Sequence, residues 1–342
     1  MTKLTVAGII ATYDQEIFIE EAVNSLAGQV DELIVVDDFS GDRTFAVLQS
    51  MVGHENLRVL RNDRRMGVSA SFNRAVFAST ADIVVIQGGD DRSLPGRVEL
   101  SRHLLDDPSV ALVSGIPAVI DSQGRRLPDQ LASEFLAGAD QRDTLSTLLF
   151  DGNFICAPST AMRRTDYLLL GGFRVGLDLL QDYALWLELA ERGRFAVTDR
   201  PIVEYRKHGM NLSREYVGLN SLKRRRHAAE LEFIIDRFLR LAQPVSLDIL
   251  ARHALIDFAN FSARDPRDRV ALIELAHPNK MIRRRGVARL FEIVGEVDGE
   301  RHLSLLGLEM SDLSRLSADA DHENLEAVER AMGVVGILGS AG

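Results

Sequence analysis

Asp90-Asp91 sets two carboxylates side by side on a short loop with Gly88-Gly89. Neighbouring carboxylates repel each other, and such a pair persists where water or a cation relieves the repulsion. Hard divalent ions take one or two carboxylates together with phosphate oxygens, so the pair suits a metal-and-phosphate centre. It equally suits a solvated loop in which Asp91 caps a helix beginning near Pro95. Asp37-Asp38 also follows an apolar run, and there Ser40 or Asp42 could cap the next helix; one of these acids could instead hydrogen-bond a base or ribose. Tyr13 ends the first apolar run, where a planar ring can stack on a base or simply line a rim. Asp182, in Gln181-Asp182-Tyr183-Ala184-Leu185-Trp186, is placed either to favour a helix dipole or to take a proton from an attacking hydroxyl. His208, in Tyr205-Arg206-Lys207-His208, offers a metal or phosphate contact, or an ordinary surface histidine in a basic turn.

The elements that must carry these residues alternate along the chain. Strands are expected at Val6–Ile10, Glu32–Val36, Leu57–Leu60, Asp82–Ile86 and Val110–Ser114, with helices near Glu16–Leu26, Arg43–Met51, Ser69–Ser79 and Arg97–Leu105. The strands are rich in Val and Ile on both faces, as a sheet covered by helices on both sides requires. Strand–helix alternation predicts an α/β, doubly wound, mostly parallel sheet, and ligands of such sheets lie beyond the carboxyl ends of the strands. Ala11–Asp14, Asp37–Asp42 and Gln87–Asp91 all fall there. Further on, Asp121-Ser122-Gln123-Gly124 reads as a hairpin turn, Gln181–Arg192 as a helix, and Phe195–Thr198 and Ile202–Tyr205 as closing strands. From about Asn220 the periodicity is helical, punctuated by Pro244, Pro266 and Pro278. The chain is therefore expected to divide into 1–215 and a helical region, 216–342.

The 342 residues carry a formal charge of −10, which argues against a broad grip on nucleic acid. Residues 1–215 hold 22 Lys and Arg against 31 Asp and Glu, so a bare phosphate would be repelled there unless a cation bridged it. Cys156 is the single cysteine, which excludes an internal disulfide and fits a reducing compartment. The opening lacks a signal-peptide pattern, and no apolar run would span a bilayer. These features predict a cytoplasmic protein. Lys223–Arg226 and Arg283–Arg285 read as solvated helix faces, or as a peripheral contact with anionic lipid at the inner face of a membrane.

Taken together, the motifs resemble the inverting glycosyltransferases of family 2, which have the GT-A fold. Ile9-Ile10-Ala11-Thr12-Tyr13-Asp14 resembles the family's "IIPTYN", and Val35–Thr44 resembles "VVDDGSTDGT". Arg61-Asn62 with Gly67–Asn73 resembles "N…G…ARN", and Gly88–Pro95 resembles "DADDxxxP". Gly171-Gly172-Phe173 with Gln181-Asp182 and Trp186 resembles "GGF…ED…LW", and Tyr205–His208 resembles "YRxH". Order and spacing hold over roughly residues 4–213, and six motifs in series are far more specific than any one of them.

The resemblance implies a metal-dependent transfer of a sugar from a nucleotide-diphosphate donor, often a UDP-sugar, to an acceptor hydroxyl, with inversion. It implies donor contacts from Ala11, Tyr13, Asp38, Asn73 and Asp91, with Tyr13 and Asp38 at the base. Asp90 would ligate Mg²⁺ or Mn²⁺, with His208 as a further ligand, and Asp182 would be the catalytic base. The acceptor would be a saccharide or a lipid-linked saccharide, in surface polysaccharide or glycolipid assembly. Two positions depart from the pattern: Gly88 stands where the family has an acid, and Gln181 stands for the Glu of "ED". They keep open a second reading, a nucleotide-sugar-binding partner that does not catalyse. A hydrolase using Asp90 and Asp182 as an acid–base pair is a third. The helical region lies outside the resemblance and is a candidate for a homo-oligomer contact or for holding the acceptor.

Overall fold

The structure, a computed structural model, describes residues 3–51, 53, 55–135, 143–208, 221–256, 265–296, 299–306 and 308–319. The chain forms two compact units. The boundary expected at 215/216 lies outside the described residues.

The first unit takes in residues 1–144 and 153–230. Its centre is a seven-stranded sheet in the order β3-β2-β1-β4-β8-β6-β9. The strands are β1 (Val6–Thr12), β2 (Glu32–Asp37), β3 (Leu57–Arg61), β4 (Ile83–Gly88), β6 (Val110–Gly115), β8 (Ala161–Arg163) and β9 (Arg194–Thr198). β1 to β4 run parallel. The expectation that Val110–Ser114 follows directly in the parallel series is refined: β8 inserts between β4 and β6 and is antiparallel to both. At three residues it is too short for a periodicity to be visible in the sequence. Helices α1 (Ile19–Ala27), α2 (Thr44–Ser50), α3 (Val68–Ala78) and α4 (Arg97–Leu105) form the crossovers. In α1 the apolar residues fall at Ile19, Ala22, Val23 and Leu26, one face of a 3.6-residue period, and all four are buried. α1 starts later than the sequence suggests because Asp14 takes φ 51° and residues 14–16 bond across to the next loop.

A smaller sheet, β5-β10-β7, brings together β5 (Arg92–Ser93), β10 (Val203–Arg206) and β7 (Ala118–Ile120). β7 turns back through Asp121–Gly124, where the Gly124 N–H donates to the Asp121 carbonyl at 3.0 Å. Of the two expected closing strands, Phe195–Thr198 joins the large sheet and Val203–Arg206 the small one. The register of the large sheet decides where the site is. Ala11 pairs with both Val36 and Gly88, and Thr12 with Asp37, so the loops after β1, β2 and β4 leave from one rim.

The second unit comprises Leu145–Gly152, which includes most of α5 (Thr144–Ser146), and the chain from Leu231 onward. The boundary at Leu231 falls inside α8 (Ser221–Leu241). Between these lie α6 (Arg164–Leu169) and α7 (Gln181–Ala190), both of the first unit. The second unit continues as α9 (Pro244–His253), α10 (Pro266–Ala276), α11 (Lys280–Val294), α12 (Gly299–Leu305) and α13 (Met310–Asp319). Pro244 and Pro266 are the first residues of α9 and α10, where the missing N–H costs nothing, and Asp265 and Asn279 cap α10 and α11 from their side chains. His277 ties Leu145–Gly152 to these helices. Its Nδ1 accepts the Asn279 N–H at 2.9 Å, so Nε2 carries the proton and donates to the Leu149 carbonyl at 2.9 Å. Burial holds this imidazole down to about 4, which keeps it neutral.

α10 and α11 pack so closely that a β-carbon at Gly286 would lie 2.9 Å from the Leu275 nitrogen and 3.0 Å from the Ala271 carbonyl oxygen. Backbone cannot swing aside as a side chain does. Gly286→Ala is therefore expected to destabilise the helical unit by about 1–3 kcal/mol, read as a lower urea midpoint for the loss of helical circular dichroism. An unchanged midpoint would contradict this packing.

Candidate active site

The loops after β1 and β2 are laced together. Asp14 Oδ1 accepts the Gly41 N–H at 2.8 Å, and the Asp14 N–H donates to Ser40 Oγ at 3.0 Å. Gln15 N–H donates to Thr44 Oγ1, Glu16 N–H to Asp42, and Arg43 N–H back to Glu16. Each of these polar groups would otherwise need water at the rim. Tyr13 stands at the edge of this lattice, with the Arg65 guanidinium over its ring at 4.1 Å from the centroid. Ala11 is partly exposed at the end of β1.

Asp38 is turned inward, with 4% of its surface exposed. Its carboxylate accepts from Asn62 Nδ2 at 2.6 Å and from the Met66 and Gly67 N–H groups at 2.8 Å each. Gly67 has φ 89° and is the residue from which α3 starts, so Asp38 anchors the entry of α3. Further along α3, Asn73 holds a different loop. Its Oδ1 accepts from the Phe173 N–H at 2.9 Å and from the Tyr167 hydroxyl at 2.6 Å, while Nδ2 donates to the Phe173 carbonyl at 2.7 Å. Gly172, at φ 68°, is needed for this approach: a β-carbon there would meet Asn73 Oδ1 at 2.5 Å. Asn73 was expected at the donor. In the structure its amide bonds the loop leading to Asp182.

The acidic pair after β4 is split. Asp90 Oδ2 lies 2.8 Å from His208 Nε2. The His208 ring is packed against Phe18, with centroids 4.8 Å apart. Asp91 points inward with 2% exposure and accepts the Arg206 backbone N–H at 2.9 Å. Burial, and then the charge of Asp90, hold its carboxyl well above the usual range, against the pull of Arg206 and Arg97. The Asp91 carboxylate, expected at the donor, is in the structure bonded to the Arg206 backbone beneath the loop. Both carboxylates fold back over Gly88, where a β-carbon would lie 2.6 Å from Asp91 Oδ2 and 2.8 Å from Asp90 Oδ1. Gly89 is equally constrained, by Gln15 Oε1 at 2.3 Å and Thr12 Oγ1 at 2.7 Å. The loop is thus built around the absence of an acid at position 88.

Arg206 completes this arrangement, and sequence reasoning passed over it as one letter of a motif. It is 1% exposed. Nε donates to the Asp90 carbonyl at 2.7 Å, Nη2 to Glu21 at 2.6 Å, and Nη1 to the carbonyls of Asp121 and Ser122. A guanidinium satisfied on all sides can be buried without leaving a charge unpaired. The available signal was an arginine ending a strand two residues before a histidine.

Asp182 lies in the first turn of α7 and is partly buried. It accepts from its neighbour's N–H, Tyr183, at 2.7 Å and from Asn153 Nδ2 at 3.2 Å. Burial outweighs these bonds and pushes the carboxyl up to about 6. A carboxylate with that affinity for protons is matched to accepting one near neutral pH.

Among the described residues, no group of three or more His, Cys, Asp or Glu is arranged to hold a metal ion. One carboxylate and one imidazole in contact still fit a hard divalent cation of the kind that completes its shell with water and substrate phosphate. Asp90 and His208 are therefore the residues that could hold one.

A profile of the family described as "Glycosyl transferase family 2" matches residues 9–169, which carry the three rim loops. EpsE of Bacillus subtilis, which bears a glycosyltransferase name, is 27% identical over 196 residues, covering 55% of this chain and 67% of its own. The chain spans 63% and 67% of the lengths of two of the curated relatives it matches. S. aureus TarS in complex with UDP-GlcNAc superposes with a TM-score of 0.57 at 18% identity, covering 97% of this chain and 92% of that one. The mannosyltransferase PcManGT from Pyrobaculum calidifontis, in complex with GDP-Man and Mn²⁺, gives 0.54 at 18% identity, covering all of this chain and 89% of that one. At such identities the two superpositions establish the fold, GT-A, and not the substrate.

Replacing Arg206 by Ala is expected to cost about 3–5 kcal/mol, since it leaves Glu21 and the Asp90 loop without their buried partner. Chemical denaturation measures this directly, and a loss below about 1 kcal/mol would contradict the role given to Arg206.

Proposed function

We propose, from the premise that this chain is a family 2 glycosyltransferase, that it moves a sugar from a nucleoside diphosphate donor to an acceptor hydroxyl in one displacement that inverts the anomeric carbon. The observation that carries this reading is Asp182, a partly buried carboxylate at the start of α7 that accepts two hydrogen bonds and that burial nonetheless pushes up to about 6. Such a group suits a general base that is ionised near neutral pH yet still attracts a proton. Asp182 takes the proton of the acceptor hydroxyl as its oxygen attacks, and the donor's bond to the diphosphate breaks on the opposite side. A divalent ion, Mg²⁺ or Mn²⁺, held by Asp90 and His208 would neutralise charge on the departing diphosphate. Tyr13 and Ala11 line the base side of the donor, Asp38 shapes it by fixing the start of α3, and Asn73 does so by holding the Phe173 loop against α3.

The donor we favour is a UDP-sugar, and the acceptor a saccharide or lipid-linked saccharide in surface polysaccharide or glycolipid assembly. The UDP-GlcNAc held by TarS supports the first, and the GDP-Man held by PcManGT makes GDP-sugars the comparison to include. Among the described residues, no helix is long and apolar enough to cross a membrane. A lipid-linked acceptor would then be met by peripheral contact with the inner face of a membrane.

Against a panel of UDP- and GDP-sugars with glycan acceptors, Asp182→Asn should lower kcat about 10²–10⁴-fold while UDP binding changes little. Equal loss of both would remove Asp182 from the chemistry. Because the base works only when deprotonated, wild-type kcat should rise with pH through about 6 and level off above it; a rate that falls over that interval has the wrong sign for a base.

Chelation supplies a separate test of the ion. Excess EDTA should abolish transfer and added Mn²⁺ restore it, whereas full activity in chelator would exclude a role for a divalent ion at Asp90 and His208.

A further inference from the structure

The segment that delivers Asp182, Gly171–Leu180, has little secondary structure of its own. It is held from α3 by Asn73 at Phe173 and by Ser69 Oγ, which donates to the Leu177 carbonyl at 3.2 Å. Its far end is held by one side chain from α8. Glu230 Oε1 accepts the Asp178 N–H at 3.1 Å, and Oε2 accepts the Leu179 and Leu180 N–H groups at 3.0 Å each. These are the residues immediately before α7, whose own N-cap, Leu180, has no side-chain bond to offer. A helix start leaves N–H groups without partners and carries partial positive charge. Here Glu230 accepts from the N-cap, Leu180, and from the two residues before it, and brings a compensating negative charge to this end of α7. Glu230 is 6% exposed and is itself oriented by Arg226, whose Nε donates to Oε1 at 3.0 Å and which also pairs with Asp178. Position 181 is Gln, so Asp182 is the one acid in the first turn of α7.

We propose that Glu230 is a positioning residue for transfer: its carboxylate caps α7 from outside and thereby fixes the place and the dry surroundings of Asp182. The inference rests on the reading of Asp182 as the base. It gives the start of the helical C-terminal region a part in the reaction although that helix contributes no group to the chemistry. Without the cap, residues 178–180 need water for their N–H groups, and water at this end of α7 relieves the burial that holds the Asp182 carboxyl high.

The test compares wild type, Glu230→Gln and Asp182→Asn with the donor that the sugar panel identifies, using UDP as the binding probe. Glu230→Gln should lower kcat about 10–100-fold, as a small misplacement of a reacting group does. UDP affinity should stay within about 3-fold, because the donor loops are untouched. Its acid limb should move to lower pH than that of wild type. Wild-type kcat with an unmoved acid limb would overturn the proposal, as would parallel losses of UDP binding and kcat with the limb unmoved, the mark of a merely structural role. Should Glu230→Gln not fold, Arg226→Gln loosens the same carboxylate from outside and should shift kcat and the limb in the same directions, and no shift would again count against it. Full activity in Asp182→Asn would instead overturn the parent reading, and this one with it.

Discussion

Two adjacent carboxylates on one loop are an electrostatic liability, and the buried guanidinium of Arg206 is what this structure uses to hold them. It does not neutralise both acids by contact. Its backbone N–H takes Asp91, its Nε takes the Asp90 carbonyl, and its far end is fixed by Glu21. Asp91 is thereby drawn inward and Asp90 left facing His208. The separation gives the two like-charged neighbours different partners. The glycines at 88 and 89 follow from the same constraint, since the folded-back carboxylates and the Thr12–Gln15 turn occupy the space that β-carbons would need.

α3 is the second organising element. Its entry is pinned by Asp38 on the rim of the sheet, and its Asn73 grips Phe173 across a hundred residues of sequence. Both contacts place side-chain atoms on backbone groups, which tolerate little displacement before a buried donor or acceptor is orphaned. The rim of the sheet and the loop leading to Asp182 are thus referred to a single rigid rod. Glu230 adds a grip from the other end of that loop.

Much of the architecture was legible beforehand because its signals are local. Val- and Ile-rich runs separated by amphipathic stretches identified the parallel core, and the polar segments after the first, second and fourth strands marked the rim. Short elements escaped: β5 has two residues and β8 three, and neither leaves a period to read. The direction of a side chain escaped too. Asp90 and Asp91 are chemically identical in sequence, as are the outward and inward possibilities for Asp38, and a spacing pattern carries no information about which face of a loop is covered.

The sequence by itself determined the fold class, the succession of glycosyltransferase motifs and the residue types from which a transfer site can be assembled. These depend on periodicity and on order along the chain. Only the tertiary structure decided which groups each of those residues meets. Asp38, Asn73 and Asp91 bond backbone groups brought close by the sheet register and the crossover helices, Asp182 bonds its neighbour's N–H and Asn153, and Asp90 lies against His208. The physical reason is that a polar side chain answers to whatever unsatisfied donor or acceptor lies nearest in space. The partners of Asp38, Asn73 and Asp91 lie from 24 to 115 residues away along the chain, beyond the reach of any local pattern.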